Sequence, residues 1–350
     1  MPLSPSQLTR CWTEVLELSK LAPGENVLIL TSQNSDPRVV DAAARAAAAL
    51  QARVVKLEIA PNWDTCEVGA DPTVVSGASP IDDDPMALAA MKAADLVIDT
   101  VFLLFTPGQR AVLESGTRML LAYEPPEVLA RVMPSPDDRR RVLAARDAYA
   151  RGRRITVTSA AGTRLTASIG AYPITAEYGY VDSPGRWDHW PSGFVARLPD
   201  DGTAEGVVVL APGDIILPFK NYVQSPITLE IERGTIVRIS GGLDAEFLDT
   251  YLRGFDDPDA YAVSHLGWGL QPKARWTSLG LYDKAATIGM EARSFYGNFL
   301  FSTGPGGSRR TKAHLDIPMR KCSFHVDGQP MVVDGDVVAP DQRVDGARPQ

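Results

Sequence analysis

Late in the chain comes Ala313-His314-Leu315-Asp316-Ile317-Pro318, and well before it Tyr261-Ala262-Val263-Ser264-His265-Leu266-Gly267-Trp268-Gly269. Both stretches set a histidine among apolar and glycine neighbours, which reads as strand or strand-end backbone. In an extended chain residues two apart point to the same side. His314 and Asp316 therefore share one face while Leu315 and Ile317 take the other. With the two aliphatic residues on a core, an imidazole and a carboxylate project together, and His265 completes a set of two histidines and one carboxylate. That set on one side of a metal, with the remaining positions open, suits non-haem Fe(II) acting on dioxygen. A lone H-x-D is common in solvated loops, so the weight here comes from scarcity. The chain has 4 histidines, and three of them sit among Trp, Gly, Pro and Asp rather than on a helical face. The fourth, His325, precedes a hairpin turn in Ser323-Phe324-His325-Val326-Asp327-Gly328 and reads as an exposed strand residue.

Three further places could carry chemistry. Tyr178 to Gly193 is loop-like by its prolines and glycines, yet holds two tyrosines, two tryptophans and His189. So many aromatics suit a loop packed over a pocket or a subunit contact, in equal measure. His189, between Asp188 and Trp190, is a candidate acid or base near neutral pH, and Trp190 a candidate substrate wall. Asp99 to Pro107 follows a strand, at the edge of an open α/β sheet where ligands bind. Its plain reading is a buried apolar loop, with Leu104 and Phe105 the residues best placed to face a substrate. Ser302, before the turn Gly304-Pro305-Gly306-Gly307, reads on sequence alone as a structural hydroxyl.

Length and composition bound these readings. The 350 residues suffice for two domains with ample cores. A net charge of −8 argues against nucleic acid or an anionic membrane as partner. The cysteines Cys11, Cys66 and Cys322 are scattered and odd in number, which excludes a disulfide framework and a cysteine-based zinc site and points to a reducing compartment. With no basic, apolar leader at Met1-Pro2-Leu3-Ser4-Pro5 and no uncharged stretch of membrane-spanning length, the expectation is a cytoplasmic protein.

The elements that must position these residues come in two styles. Up to about residue 122, helix starts recur as a capping residue followed by proline: Ser4-Pro5, Asp36-Pro37, Asp84-Pro85 and Thr106-Pro107. A side-chain oxygen satisfies an early amide, and proline at the first helical position sacrifices no bond. Between them lie the apolar runs Val27 to Leu30, Val54 to Leu57, Leu96 to Asp99 and Met119 to Ala122. Continuous apolar strands separated by helices indicate a parallel sheet covered on both faces. The first strand ends in Thr31-Ser32-Gln33-Asn34-Ser35-Asp36, without the glycine fingerprint of a dinucleotide site, and no phosphate-binding G-x-x-x-x-G-K occurs, so NAD and ATP are rejected. Helices over about 125–133 and 136–150 lead to hairpins: Ile155 to Ser159 with Arg164 to Ser168, and Ile227 to Glu232 with Ile236 to Ser240. The expected plan is a Rossmann-like α/β domain over 1–150, an α+β metal-binding domain with antiparallel strands over 151–340, and a flexible tail at 341–350.

With these residues in hand, the chain resembles the 2,5-dihydroxypyridine 5,6-dioxygenases, bacterial enzymes of nicotinic acid catabolism. The likeness runs the whole length, through Pro125 to Arg131, Gly185 to Gly193, Gly213 to Tyr222, His265 to Pro272 and Phe295 to Pro305. The resemblance implies a mononuclear Fe(II) held by His265, His314 and Asp316, with the Ser302 hydroxyl as a weak extra ligand. It also implies ring cleavage by dioxygen to N-formylmaleamic acid, and a homo-oligomer, a hexamer being one form. One departure matters: the family pattern has a histidine after Leu104, and this chain has Phe105, which bears on the substrate contact. A more distant similarity is to a family of two-domain metalloaminopeptidases that share a closing H-x-D. Those carry a glutamate where His265 stands and a further histidine before the closing motif, whereas no histidine lies between 265 and 314 here. One redox-active iron is favoured over a hydrolytic metal pair. The rival readings are such an aminopeptidase and, last, a non-catalytic binder of aromatic ligands.

Overall fold

Each proline-marked start in the first third of the chain opens a helix, and each capping side chain is engaged. Ser4 forms a capping box with Gln7 at the head of α1 (Pro5–Leu18). Asp36 accepts from Arg38 N at α2 (Pro37–Ala49), Asp84 from Met86 N and Ala87 N at α3 (Pro85–Lys92), and Thr106 from Gln109 N at α4 (Pro107–Glu114). The strands between them, β1 (Asn26–Thr31), β2 (Arg53–Glu58), β3 (Leu96–Asp99) and β4 (Arg118–Leu121), pair in parallel in the order β2-β1-β3-β4. β1, β3 and β4 are buried almost throughout, as continuous apolar strands covered on both faces should be. Alanines 42, 43, 46 and 47 of α2 are fully buried, so their small side chains bring the helix close to its neighbours.

The computed structural model describes residues 3–59, 81–104, 106–217, 219–347 and 349–350. Two compact units emerge, each gathered from separated stretches. The first comprises Met1–Pro136, Glu177–Ser192 and Asp283–Met290, and the second Asp137–Ala176, Gly193–Tyr282 and Glu291–Gln350. In the first, α5 (Pro126–Arg131) follows β4, and buried Glu124 accepts from Thr287 Oγ1 and from Met290 N at 2.7 Å, which fastens the last stretch there.

The aromatic stretch read as a loop supplies a fifth parallel strand. β8 (Trp187–His189) lies beside β4, with Leu120 opposite Asp188 and Leu121 opposite His189; β5 to β7 belong to two other sheets. Three residues among glycines and prolines carry no periodicity, so only pairing reveals this strand. Asp188 organises the stretch, being wholly buried and accepting from the backbone of Tyr178, Gly179 and His189 at 2.8–3.0 Å and from Arg186 at 2.5 Å.

At the carboxyl end of β3, Asp99 is fully buried and accepts from Val101 N and Leu103 N at 2.8 Å each. It closes a tight loop in which Phe102 takes a left-handed φ of 66°. Burial pushes the Asp99 carboxyl up to about 6, against the pull of the loop amides. Its folded-state pKa being raised, the folded chain keeps a proton between about pH 4 and pH 6 that the unfolded chain has released, so wild-type stability falls as pH rises through that window. Asp99→Asn, which loses one acceptor at every pH, is expected to gain on the wild type by up to about 3 kcal/mol from pH 4 to pH 7. Tm differences between the two proteins measured across that range check it; a constant difference refutes it.

The second unit begins with α6 (Pro136–Arg151) and contains two sheets. The first joins β5 (Arg154–Ser159), β6 (Arg164–Ser168), β10 (Glu205–Leu210), β13 (Ile227–Glu232), β14 (Thr235–Gly241), β18 (Cys322–Val326), β19 (Gln329–Val333) and β20 (Asp336–Val337), antiparallel throughout, in the order β14-β13-β10-β6-β5-β18-β19-β20. The second contains β7 (Ile174–Glu177), β9 (Phe194–Arg197), β15 (Val263–Gly269), β16 (Phe299–Thr303) and β17 (Leu315–Met319), in the order β17-β16-β15-β9-β7. A short pair, β11 (Ile215–Ile216) and β12 (Asn221–Tyr222), the helices α7 (Leu243–Arg253) and α8 (Met290–Ser294), and short 3-10 turns at Pro258–Tyr261, Trp276–Gly280 and Lys284–Ala286 are the other elements among the described residues. Tyr149 of α6 links both sheets: its ring meets Trp268 and Phe324, and its hydroxyl donates to Leu266 O at 3.0 Å.

The tail expected to fray is tied down instead. Gln342 is buried and accepts from Trp268 Nε1 at 3.0 Å, Val344 N donates to Tyr296 Oη at 2.8 Å, and Gln350 accepts from Trp276 N at 2.7 Å. Its polar side chains serve buried donors, a pairing that composition does not disclose. Among the described residues no helix is long and apolar enough to cross a membrane.

Candidate metal centre

Register brings the distant residues together. In β16, Ser302 stands directly opposite Asp316 of β17. On its other side the pairing with β15 runs from Val263–Thr303 to Leu266–Phe301, so Ser264 and His265 together oppose Ser302. This is a bulge, a device that re-aims a side chain at a functional place. His265 and Asp316 thus flank one central residue, and His314 joins Asp316 by the alternation of the strand. Leu315 and Ile317 are buried on the opposite side, as expected.

The three side chains converge tightly. His265 Nε2 lies 3.2 Å from Asp316 Oδ1, His314 Nε2 lies 3.4 Å from the same oxygen, and the two Nε2 atoms are 3.4 Å apart. The histidine side chains are 22 % and 10 % exposed and the carboxylate 4 %, so the cluster is open on the imidazole side. Asp316 Oδ1 is buried without a well-aligned hydrogen bond, and so is Ser302 Oγ. Two ligands about 2.1 Å from one ion and roughly at right angles stand about 3 Å apart. Three lone-pair donors facing inward at that spacing, one an unsatisfied buried anion, fit a single metal ion, with a fourth unsatisfied oxygen in the neighbouring strand.

Arg293, which no spacing in the sequence disclosed, completes the set. Its Nε donates to Asp316 Oδ2 at 2.5 Å, so one carboxylate oxygen is held by the guanidinium and the other is left to the histidines. Burial would push this carboxyl up. Positive charge on His314, then on Arg293 and His265, outweighs it and holds Asp316 well below the usual carboxylate range.

His189, Trp190 and Leu104 lie in the first unit. His189 is wholly buried, with Nε2 2.5 Å from Glu177 Oε2 and Nδ1 2.5 Å from Pro191 O. Both ring nitrogens therefore face oxygen atoms of the protein itself; Glu177 had no signal in the sequence. Trp190 is corrected from substrate wall to core residue. Its ring is 1 % exposed and packs edge-on against Trp12 at 5.1 Å, while Nε1 donates to Val132 O at 3.0 Å, so no face is left for a ligand. Leu104 is partly exposed at the carboxyl edge of the parallel sheet; Phe105 lies outside the described residues. His325, in β18, stands apart from the cluster, opposite Thr156.

The family model described as NicX: 2,5-dihydroxypyridine 5,6-dioxygenase matches residues 7–339. The chain is 50 % identical over 346 residues to 2,5-dihydroxypyridine 5,6-dioxygenase of Pseudomonas putida KT2440, covering 98 % of this chain and 99 % of the relative. The solved structure of 2,5-dihydroxypyridine dioxygenase from Pseudomonas putida KT2440 superposes with a TM-score of 0.95 over 98 % of this chain and all of that one. AmpT from Thermus thermophilus, 13 % identical, gives a TM-score of 0.62 over 97 % of this chain and 98 % of its own, a likeness of fold alone.

Proposed function

Since the chain belongs to the 2,5-dihydroxypyridine 5,6-dioxygenase family, we propose that it opens the ring of 2,5-dihydroxypyridine with dioxygen to give N-formylmaleamic acid, using Fe(II). The observation that carries the reading is the convergence of His265, His314 and Asp316 on one point within a chain of that family. The product differs from the substrate by both atoms of dioxygen, so the reaction needs no external reductant. Two imidazoles and a carboxylate are the donor set of mononuclear non-haem iron, and the Ser302 hydroxyl is the proposed additional oxygen donor. Ferrous iron, when bound, supplies the electron density without which triplet dioxygen does not react with ring carbons.

The protein's own part is to hold the ligands, orient the ring and exclude water. Arg293 keeps Asp316 ionised and turned towards the histidines. Leu104 and Phe105 are the proposed ring contacts, on the loop where open α/β sheets bind ligands. His189, the candidate acid or base, is buried with its two ring nitrogens against Glu177 and Pro191 O, so it serves to hold its own segment and leaves no nitrogen for a substrate hydroxyl. Phe105, a phenyl ring, offers no hydrogen bond and so favours contact through the ring face. We further place the protein in a reducing compartment, the cytoplasm, as a homo-oligomer.

The test is anaerobic reconstitution with Fe(II), addition of 2,5-dihydroxypyridine, and admission of oxygen while uptake and ring absorbance are followed together. One dioxygen consumed per ring lost is expected. Iron-loaded protein that takes up no oxygen ends the reading, and aminoacyl-amide hydrolysis without oxygen would favour the aminopeptidase.

A further inference from the structure

The segment around Asp214 to Leu217 touches the strand that carries Asp316 at two places. β17, which carries Asp316, lies at the edge of its sheet. β16 pairs with one side of it. On the other, Leu217 and Asp316 form an isolated bridge, each N–H donating to the other's carbonyl at 2.8 and 3.1 Å. Two backbone bonds at one point are little to hold a strand end that must present two ligands.

The same two segments are tied again further along. Asp214 is 2 % exposed, and its Oδ1 accepts from Arg320 N at 2.7 Å, just beyond the end of β17. The Arg320 guanidinium lies 3.9 Å over the Trp276 ring, and its Nε donates to Gln350 O at 2.8 Å. Trp276 Nε1 donates to Gly213 O at 2.7 Å, while its backbone N–H donates to the Gln350 side chain. Gly213 has a φ of +96°, and a Cβ there would come within 3.1 Å of Arg320 and 3.3 Å of Trp276, so the stack needs glycine beneath it.

We propose that Asp214 and Arg320 are positioning residues for the metal centre. They close the far end of the Leu217–Asp316 bridge and preset the strand carrying His314 and Asp316 before any ion arrives. The proposal rests on those residues holding a metal. Ordering a loose strand draws on binding energy, so closing the strand end beforehand appears as tighter metal binding.

The test titrates metal-free protein with Co(II), read by its visible absorption, and measures amide exchange of the peptides containing Leu217 and Asp316 in the same metal-free protein. Asp214→Ala is expected to weaken Co(II) binding about 10-fold, at the lower end for a residue that supports ligands from outside, with faster exchange at both peptides. Arg320→Met, which keeps the backbone donor but loses the stack, should show the same changes at roughly threefold and carries the test if Asp214→Ala does not fold. Val337→Ala, a core truncation in β20, serves as the control for a general loss of stability. Wild-type affinity in either folded variant, or an equal loss in Val337→Ala, overturns the proposal. Asp316→Ala distinguishes failure of the premise: if it binds Co(II) as wild type does, the metal reading falls and the proposal with it.

Discussion

Asp316→Ala is expected to give a folded protein that retains no iron and consumes no oxygen with 2,5-dihydroxypyridine. The carboxylate is the one formal anion of the cluster, and both imidazoles and Arg293 crowd it within 3.4 Å. Removing a residue that merely supports ligands costs 10–100-fold in metal affinity as a rule, so loss of a direct ligand should exceed about 100-fold. The metal-free variant should also be less stable, because Arg293 is left partly buried without its carboxylate, a change worth roughly 3–5 kcal/mol when such a pair is broken. Metal content after desalting, with Tm and circular dichroism on the same sample, checks both statements. His325→Ala is the matched control and should keep metal and activity, since His325 lies in another sheet. Full iron occupancy in Asp316→Ala would remove the centre described here.

Arg293→Met carries the second large effect. The methionine fills similar space but cannot hold Asp316 Oδ2, now bound at 2.5 Å. The carboxylate is then free to turn, and burial no longer meets the guanidinium's charge, so the carboxyl rises from its low position. Metal affinity should fall about 10- to 100-fold. Arg293→Lys should fall between, because an ammonium restores the charge without the planar geometry of the guanidinium. Equilibrium titration with Co(II) separates this from a loss of turnover alone. An unchanged dissociation constant in Arg293→Met would show that Asp316 is oriented by its backbone and the histidines without help.

Much of this was legible in the residues. His314 and Asp316 could be placed on one face because strand alternation is local, and the apolar residues between and after them named the buried side. The parallel sheet was legible because each helix start is written as a capping side chain followed by proline, and each buried strand as a short apolar run. The hairpins from Arg154 onward were legible for the same reason, their turns being marked by glycine. Such signals act within a few residues, where backbone sterics and side-chain hydrogen bonds decide the outcome.

What escaped depends on partners far away in the chain. Trp187 to His189 looks like loop by composition and becomes a strand because β4 offers an unpaired edge. Trp190 looks like a ligand wall and becomes core because Trp12 and the Val132 carbonyl take up its ring and its N–H. Arg293 sits in a short helix with no repeat to mark it, and its partner is Asp316 in a strand. From the residues alone came which side chains could act as ligands, and that His314 and Asp316 share a face, since strand alternation is local. Only the tertiary structure decided that they meet. The bulge at Ser264–His265 and the register of three strands about Ser302 are set by pairing and burial summed over the whole sheet.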